Sequence, residues 1–176
     1  MTPLSADRDR DASGRPKNAR PRDGLGRPLE RGAVGEPVMG DDVQLSPAKA
    51  VDLAQRLLDE GRPFHAHEVL EAVWKSAPLD QRELWRGLAQ IAVGLTHARR
   101  GNSHGAVTLL RRGAAAVAGY LLTADPESGA VPETLNLTGI HAGATELADL
   151  IAVRGLGAVA QRELQLRLGP PVASAG

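Results

Sequence analysis

Cysteine is absent from the 176 residues, which removes disulfides, thiol nucleophiles and thiolate metal ligands together. Aromatic residues are nearly absent too, at one Phe, one Tyr and two Trp. The apolar content therefore rests on Ala, Leu, Val and Gly. Small residues of this kind let helices approach closely and serve a β-sandwich core poorly, so the chain is expected to be all-α. Net charge is also missing: 21 basic residues face 21 acidic ones, and no overall field draws nucleic acid or an acidic membrane. No apolar run reaches membrane-spanning length, and no N-terminal stretch has the apolar core of a signal peptide. The expectation is a cytoplasmic protein of one domain plus a tail. Several catalytic patterns are missing as well: the G-x-S-x-G elbow, the P-loop, the Rossmann glycine fingerprint and the ferritin-type E-x-x-H.

Residues 1–45 lack a hydrophobic period and are rich in Arg, Asp, Gly and Pro. The triplet Gly14-Arg15-Pro16 returns at Gly26-Arg27-Pro28. From Arg15 to Arg31, six basic residues outnumber two acidic ones, Asp23 and Glu30. Such a segment buries too little apolar surface to offset its ordering entropy, so it reads as a disordered, flexible arm. The other readings are an arm docked on its own domain or on a sister subunit, and an arm that binds nucleic acid. The last is disfavoured, because the arm has no aromatic residue on which a base could stack.

Beyond the arm the punctuation is helical, and it predicts a compact bundle of about five to six helices over residues 46–169, followed by a short tail at 170–176. Ser46-Pro47 is an N-cap followed by proline at the first helical position, and Gly61 is a C-terminal stop. A second helix runs from near Pro63 to before Pro78. Asp80 and Glu83 form a capping-box pattern for a third, which reaches Gly101. Asn102 caps a fourth helix through Leu122, residues 123–136 form a loop, and a fifth helix opens near Thr138 and reaches about Ile151. The stretch from Gln161 is ambiguous between a short helix and an extended end.

The third helix is apolar round most of its circumference, the mark of a central helix. Leu84, Leu88, Ile91 and Leu95 share one stripe, with Trp85, Ala89, Ala92 and Val93 to one side. Gly87 and Gly94 lie one above the other, where another backbone can come close. What remains is a polar stripe of Arg86, Gln90 and His97.

The chemistry-bearing stretch is FHAHEVLEAVW, residues 64–74. His67-Glu68-Val69-Leu70-Glu71 looks like the metalloprotease H-E-x-x-H with its second histidine replaced by glutamate. His67 and Glu71 can meet across one helical turn at the edge of the core, while Glu68, His65 and Lys75 point farther toward solvent. A divalent metal would accept His67 and Glu71, with Glu68 as general base and His97 as the best-placed third ligand; His104 and His141 have weaker claims. The structural alternative is a hydrogen-bonded seam between helices, in which Glu71 pairs with Arg86, Arg111 or Arg112. Two ligands on one helix are not a site, so the seam is preferred and neither a metal nor another cofactor is expected.

Two stretches together resemble a known family. FHAHEVLEAVW followed by LWRGLAQIAVGLTHARRGNSHGAVTLLRRG is similar to the domain of unknown function DUF309, over roughly residues 55–122. The pattern is aromatic-x-x-H-E-x-x-E-x-x-W, then Q-x-x-x-x-x-x-H-x-x-x-G-N-x-x-G-A. The family's polar positions fall on His67, Glu68, Glu71, Gln90 and His97, with Gly101, Asn102 and Gly105 at the turn. The Arg-rich arm looks like that of actinobacterial-type members. The resemblance implies a compact helical bundle and brings no established activity.

The spacing Gly94, Gly101, Ala106, Leu110, Gly113 also approximates one tetratricopeptide-like hairpin, but a solenoid needs about three such repeats. A DNA-reading helix-turn-helix fits poorly, since the fourth helix is apolar where a recognition helix needs an exposed face. These readings leave a non-enzymatic interaction or scaffold protein as the leading expectation, with a protein partner or self-association and no membrane. The alternative is a small-molecule or metal-dependent enzyme using His67, Glu71 and His97.

Overall fold

A computed structural model describes residues 21–30, 32–34, 45–124 and 131–170. Five α-helices follow one another: α1 (Pro47–Asp59), α2 (Pro63–Ser76), α3 (Arg82–Arg99), α4 (Ser103–Thr123) and α5 (Leu137–Arg154). Two short 3-10 turns, Leu156–Ala158 and Gln161–Glu163, lead into an extended end. The described residues hold no β-strand beyond an isolated bridge between Arg22 and Pro28. The all-α expectation therefore holds. None of the described helices is long and apolar enough to cross a membrane. Of the arm expected to be flexible over residues 1–45, residues 1–20, 31 and 35–44 lie outside the described residues, as do 125–130 of the expected loop and 171–176 of the tail.

Each helix packs on its neighbours in sequence, α3 with α4 most extensively, then α4 with α5, α2 with α3 and α1 with α2. Short connections favour the first three of these pairings in chain order, α1–α2, α2–α3 and α3–α4, because a tight turn returns the next helix antiparallel to the last. Two of the turns share one device. After α1, Gly61 takes φ +75; its N–H donates to Leu58 O and the Arg62 N–H donates to Leu57 O. After α3, Gly101 takes φ +81, with its N–H on Ala98 O and the Asn102 N–H on His97 O. This is the Schellman closure, and it requires a left-handed residue that glycine supplies without strain.

Helix starts depart more from expectation. Ser46 occupies the N-cap of α1 but makes no side-chain cap bond. The Asp80–Glu83 capping box does not form: α3 begins after Gln81, again without a side-chain cap. Gln81 is held otherwise, buried beneath Trp85, whose indole N–H donates to its Oε1 at 3.4 Å. Asparagine does cap two helices: Asn102 accepts from the Gly105 N–H at 2.9 Å and Asn136 from the Gly139 N–H at 3.0 Å. The second of these starts α5 one residue before Thr138.

The core centres on α3, whose Leu84, Trp85, Leu88, Ile91 and Leu95 are all but inaccessible to solvent. Its glycine line faces α4. A Cβ on Gly87 would lie 2.7 Å from Ala116 Cβ, and one on Gly94 2.9 Å from Leu110 Cγ. Gly113 answers from α4, where a Cβ would come within 2.6 Å of Gly87 O. Three glycines thus bring two backbones together, a closeness that any larger side chain would prevent. The ambiguous end resolves as an extended strap. Leu164, Leu166 and Leu168 alternate inward and are buried, and Gln55 of α1 binds their backbone, accepting from Leu168 N–H at 2.7 Å and donating to Leu166 O at 3.4 Å.

Candidate functional site

The α2 polar residues run along one edge of the helix. His67 Nε2 lies 3.4 Å from a Glu71 oxygen, and Lys75 Nζ lies 3.2 Å from the other. Two of the three arginines expected to partner Glu71 are engaged elsewhere: Arg86 pairs with Glu83 at 2.9 Å and Arg111 with Asp149 at 2.7 Å. The reason is reach along the helix. Glu83 and Lys75 are one turn from their partners and exposed, so both pairs form at small desolvation cost.

His97 belongs to a different construction. The Asn102 side chain uses Oδ1 to cap α4, which turns its Nδ2 toward His97 Nδ1 at 2.7 Å. The ring nitrogen facing it must therefore accept. A Cβ at Gly105 would lie 2.5 Å from the same His97 Nδ1. His97, Gly101, Asn102 and Gly105 form one lock on the α3–α4 turn, and this explains physically why these residue types sit at these spacings. Among the described residues no three of His, Asp or Glu are grouped so as to hold a metal ion. The candidate ligands His67, Glu71 and His97 are thus not gathered into one such group.

Burial tunes two groups. It holds the His67 imidazole below its ordinary range, with Glu71 and the Phe64 backbone opposing and Lys75 assisting. It pushes the Glu68 carboxyl above its ordinary range, against the pull of Arg22 and with the help of Glu71. Glu68 was expected to face solvent but is half-buried, and His65, expected beside it, is 4% exposed. On α2, His67 Nδ1, Glu68 Oε2 and Trp74 Nε1, and on α3, Arg86 Nε and Gln90 Oε1, are buried polar atoms without a hydrogen-bond partner among the described residues.

Part of the N-terminal arm lies near this edge, and its Arg22 charge is felt by Glu68. Residues 21–30 fold on themselves: Asp23 Oδ1 accepts from the Leu25 and Arg27 N–H groups at 3.0 and 2.7 Å, and Leu29 N–H donates to Pro21 O at 2.8 Å. The folded loop rests on Phe64. The Arg22 guanidinium lies 5.4 Å from the ring centroid and that of Arg100 lies 6.0 Å from it. Arg100 Nε donates to Leu25 O at 2.9 Å, and its Nη2 reaches the same oxygen. Gly26, at φ +73, is buried directly against the ring, where no Cβ fits. Arg22 and Arg100 were not singled out in the sequence, while Phe64 entered only as the aromatic of the family pattern and Gly26 only within the repeated triplet. A faint signal existed in the Gly-Arg-Pro triplet, which occurs a third time at Gly61-Arg62-Pro63. Gly26 and Gly61 take nearly the same positive φ, 73 and 75.

Against known proteins, the model of a domain of unknown function, DUF309, matches residues 51–109. The stretch runs from α1 into the first turns of α4 and contains all six polar candidates, His67, Glu68, Glu71, Arg86, Gln90 and His97. The chain is similar to the uncharacterized protein YpuF of Bacillus subtilis (strain 168), 46% identical over 48 residues. That match spans 27% of this chain and 28% of the relative's length. No solved structure matches. Over residues 51–109 the chain is therefore similar to the DUF309 family of domains of unknown function.

Proposed function

We propose that this protein is a non-enzymatic interaction protein, a bundle that holds other polypeptide segments. The carrying observation is that its surface already grips a turn-forming peptide segment, Pro21–Glu30, through a backbone carbonyl on Arg100 and a glycine on Phe64. Contacts to backbone and to an absent side chain are means by which proteins recognise peptide segments. The engagement of the polar candidates fits the same reading. His67 is paired with Glu71, and His97 is built into the α3–α4 turn, whereas an enzyme needs its acid, base and ligands to converge on one reacting atom.

The competing reading, a metal-dependent enzyme using His67, Glu71 and His97, is tested by elemental analysis of protein purified without chelator. The expected result is substoichiometric metal and a melting temperature that chelator leaves unchanged. A stoichiometric zinc, manganese or iron ion, removed by each of His67→Ala, Glu71→Ala and His97→Ala, would overturn the interaction reading.

A further inference from the structure

The Pro21–Glu30 loop makes contacts of its own besides those with the bundle. Its Asp23 turn, its bridge between Arg22 and Pro28, and the Arg22 donation to Gly26 O are all internal. The bundle adds three things, each from a side chain on its surface. Phe64 of α2 offers a ring face that takes a guanidinium and excludes any side chain at the glycine. Arg100, just past the end of α3, clamps one backbone carbonyl with two of its nitrogens. Glu68 of α2 lies near enough for its carboxyl to feel the Arg22 charge. Every one of these contacts falls on the stretch from Arg22 to Gly26. None depends on the covalent path from the loop to α1.

We propose that Phe64, Glu68 and Arg100 form a receptor for a turn-forming segment carrying arginine four residues before a glycine, and that Pro21–Glu30 is the occupant this chain keeps in place. This rests on the interaction reading above and names the partner it fits: a protein that presents an Arg-x-x-x-Gly segment, with the chain's own loop as its competitor. The glycine is the selective element, because the ring leaves no room for a Cβ and the backbone there is left-handed. The arginine adds a cation–π contact and a charge for Glu68. The intramolecular loop acts at high effective concentration, so an outside segment binds only after the loop is displaced.

The test uses the full chain and a fluorescein-labelled peptide of residues 20–34. Gly26→Val in the chain should expel the loop and open the receptor without touching the bundle core. The peptide should then bind Gly26→Val about tenfold or more tightly than wild type, since the competitor is gone. A peptide that itself carries Gly26→Val should not bind. Arg100→Gln and Phe64→Ala, each added to the Gly26→Val chain, should abolish binding, with helicity by circular dichroism confirming the fold. Should Phe64→Ala fail to fold, the exposed-side Arg100→Gln decides alone. Absence of binding to Gly26→Val, equal binding to wild type and Gly26→Val, or binding indifferent to Arg100→Gln would each overturn the receptor. None of these results bears on the metal analysis, so a failed receptor and a failed non-enzymatic reading are told apart.

Discussion

His67 and Glu68 are adjacent in sequence, and burial displaces both toward their uncharged forms. For His67 the folded value lies below the ordinary 6.5, so between the two values the unfolded chain holds a proton that the folded chain lacks. Stability must therefore fall as pH drops below about 6.5 and level off beneath the folded value. For Glu68 the folded value lies above the ordinary 4.5, so its contribution is full at low pH and is lost as pH rises through the folded value. The two slopes oppose each other in weakly acidic solution. Urea unfolding from pH 4 to 8 should accordingly show a steeper rise with pH in Glu68→Gln and a flatter one in His67→Gln than in wild type. Identical slopes in all three would show that neither group is buried in solution. Glu71 is a weaker lever than its place in the motif suggests. Its side chain is 31% exposed and its Lys75 partner 67%, so Glu71→Ala should cost at most about 1 kcal/mol in urea unfolding at pH 7, as exposed pairs do. A loss beyond about 2 kcal/mol would require a buried partner.

At the scale of helices, the α3–α4 contact is set by what is missing from three positions. Gly113→Ala would place a Cβ 2.5 Å from Ile91 Cγ1 and 2.6 Å from a carbonyl oxygen that cannot move freely. It should destabilise by about 1–3 kcal/mol through overpacking, although alanine is the better helix former. Gly119, on the same helix, has nothing within 4 Å of its Cβ position, so Gly119→Ala should stabilise by roughly 1 kcal/mol. Thermal melts of the two variants should move in opposite directions; a shift of the same sign in both would mean that α3 and α4 are not in close contact. The glycine line and the Gly-Asn turn were readable because backbone closeness and left-handed turns restrict the residue type. Capping was less readable. Asp80 and Glu83 have the right types at the right spacing, yet the buried indole of Trp85 draws Gln81 into the first turn and the box never forms.

Across the whole molecule, the chain ends decide how the bundle is closed. Gln55 stands in for a neighbouring strand by pairing with the backbone on both sides of Arg167. Beside it Leu168 is 1% exposed. Leu168→Ala should cost about 2–5 kcal/mol, as for other buried leucines, and Gln55→Leu about 1–3 kcal/mol, by stranding a backbone N–H. Both are measured by urea denaturation, and a Leu168→Ala chain as stable as wild type would mean that the strap is not part of the core.

The sequence by itself determined the helices, their order and the centrality of α3. These follow from local propensity, hydrophobic period and helix stops, all of which act within a few residues. It also determined that His67 and Glu71 share one edge of α2 and that Asn102 starts α4. Only the tertiary structure decided the partners. Arg111 turned to Asp149 of α5 rather than to Glu71, Gln55 to the backbone of the C-terminal strap, and Phe64 to a loop some forty residues upstream. Each choice depends on which surfaces meet and how much water they exclude. Periodicity assigns a residue to a face of its helix, and the packed chain decides what that face meets.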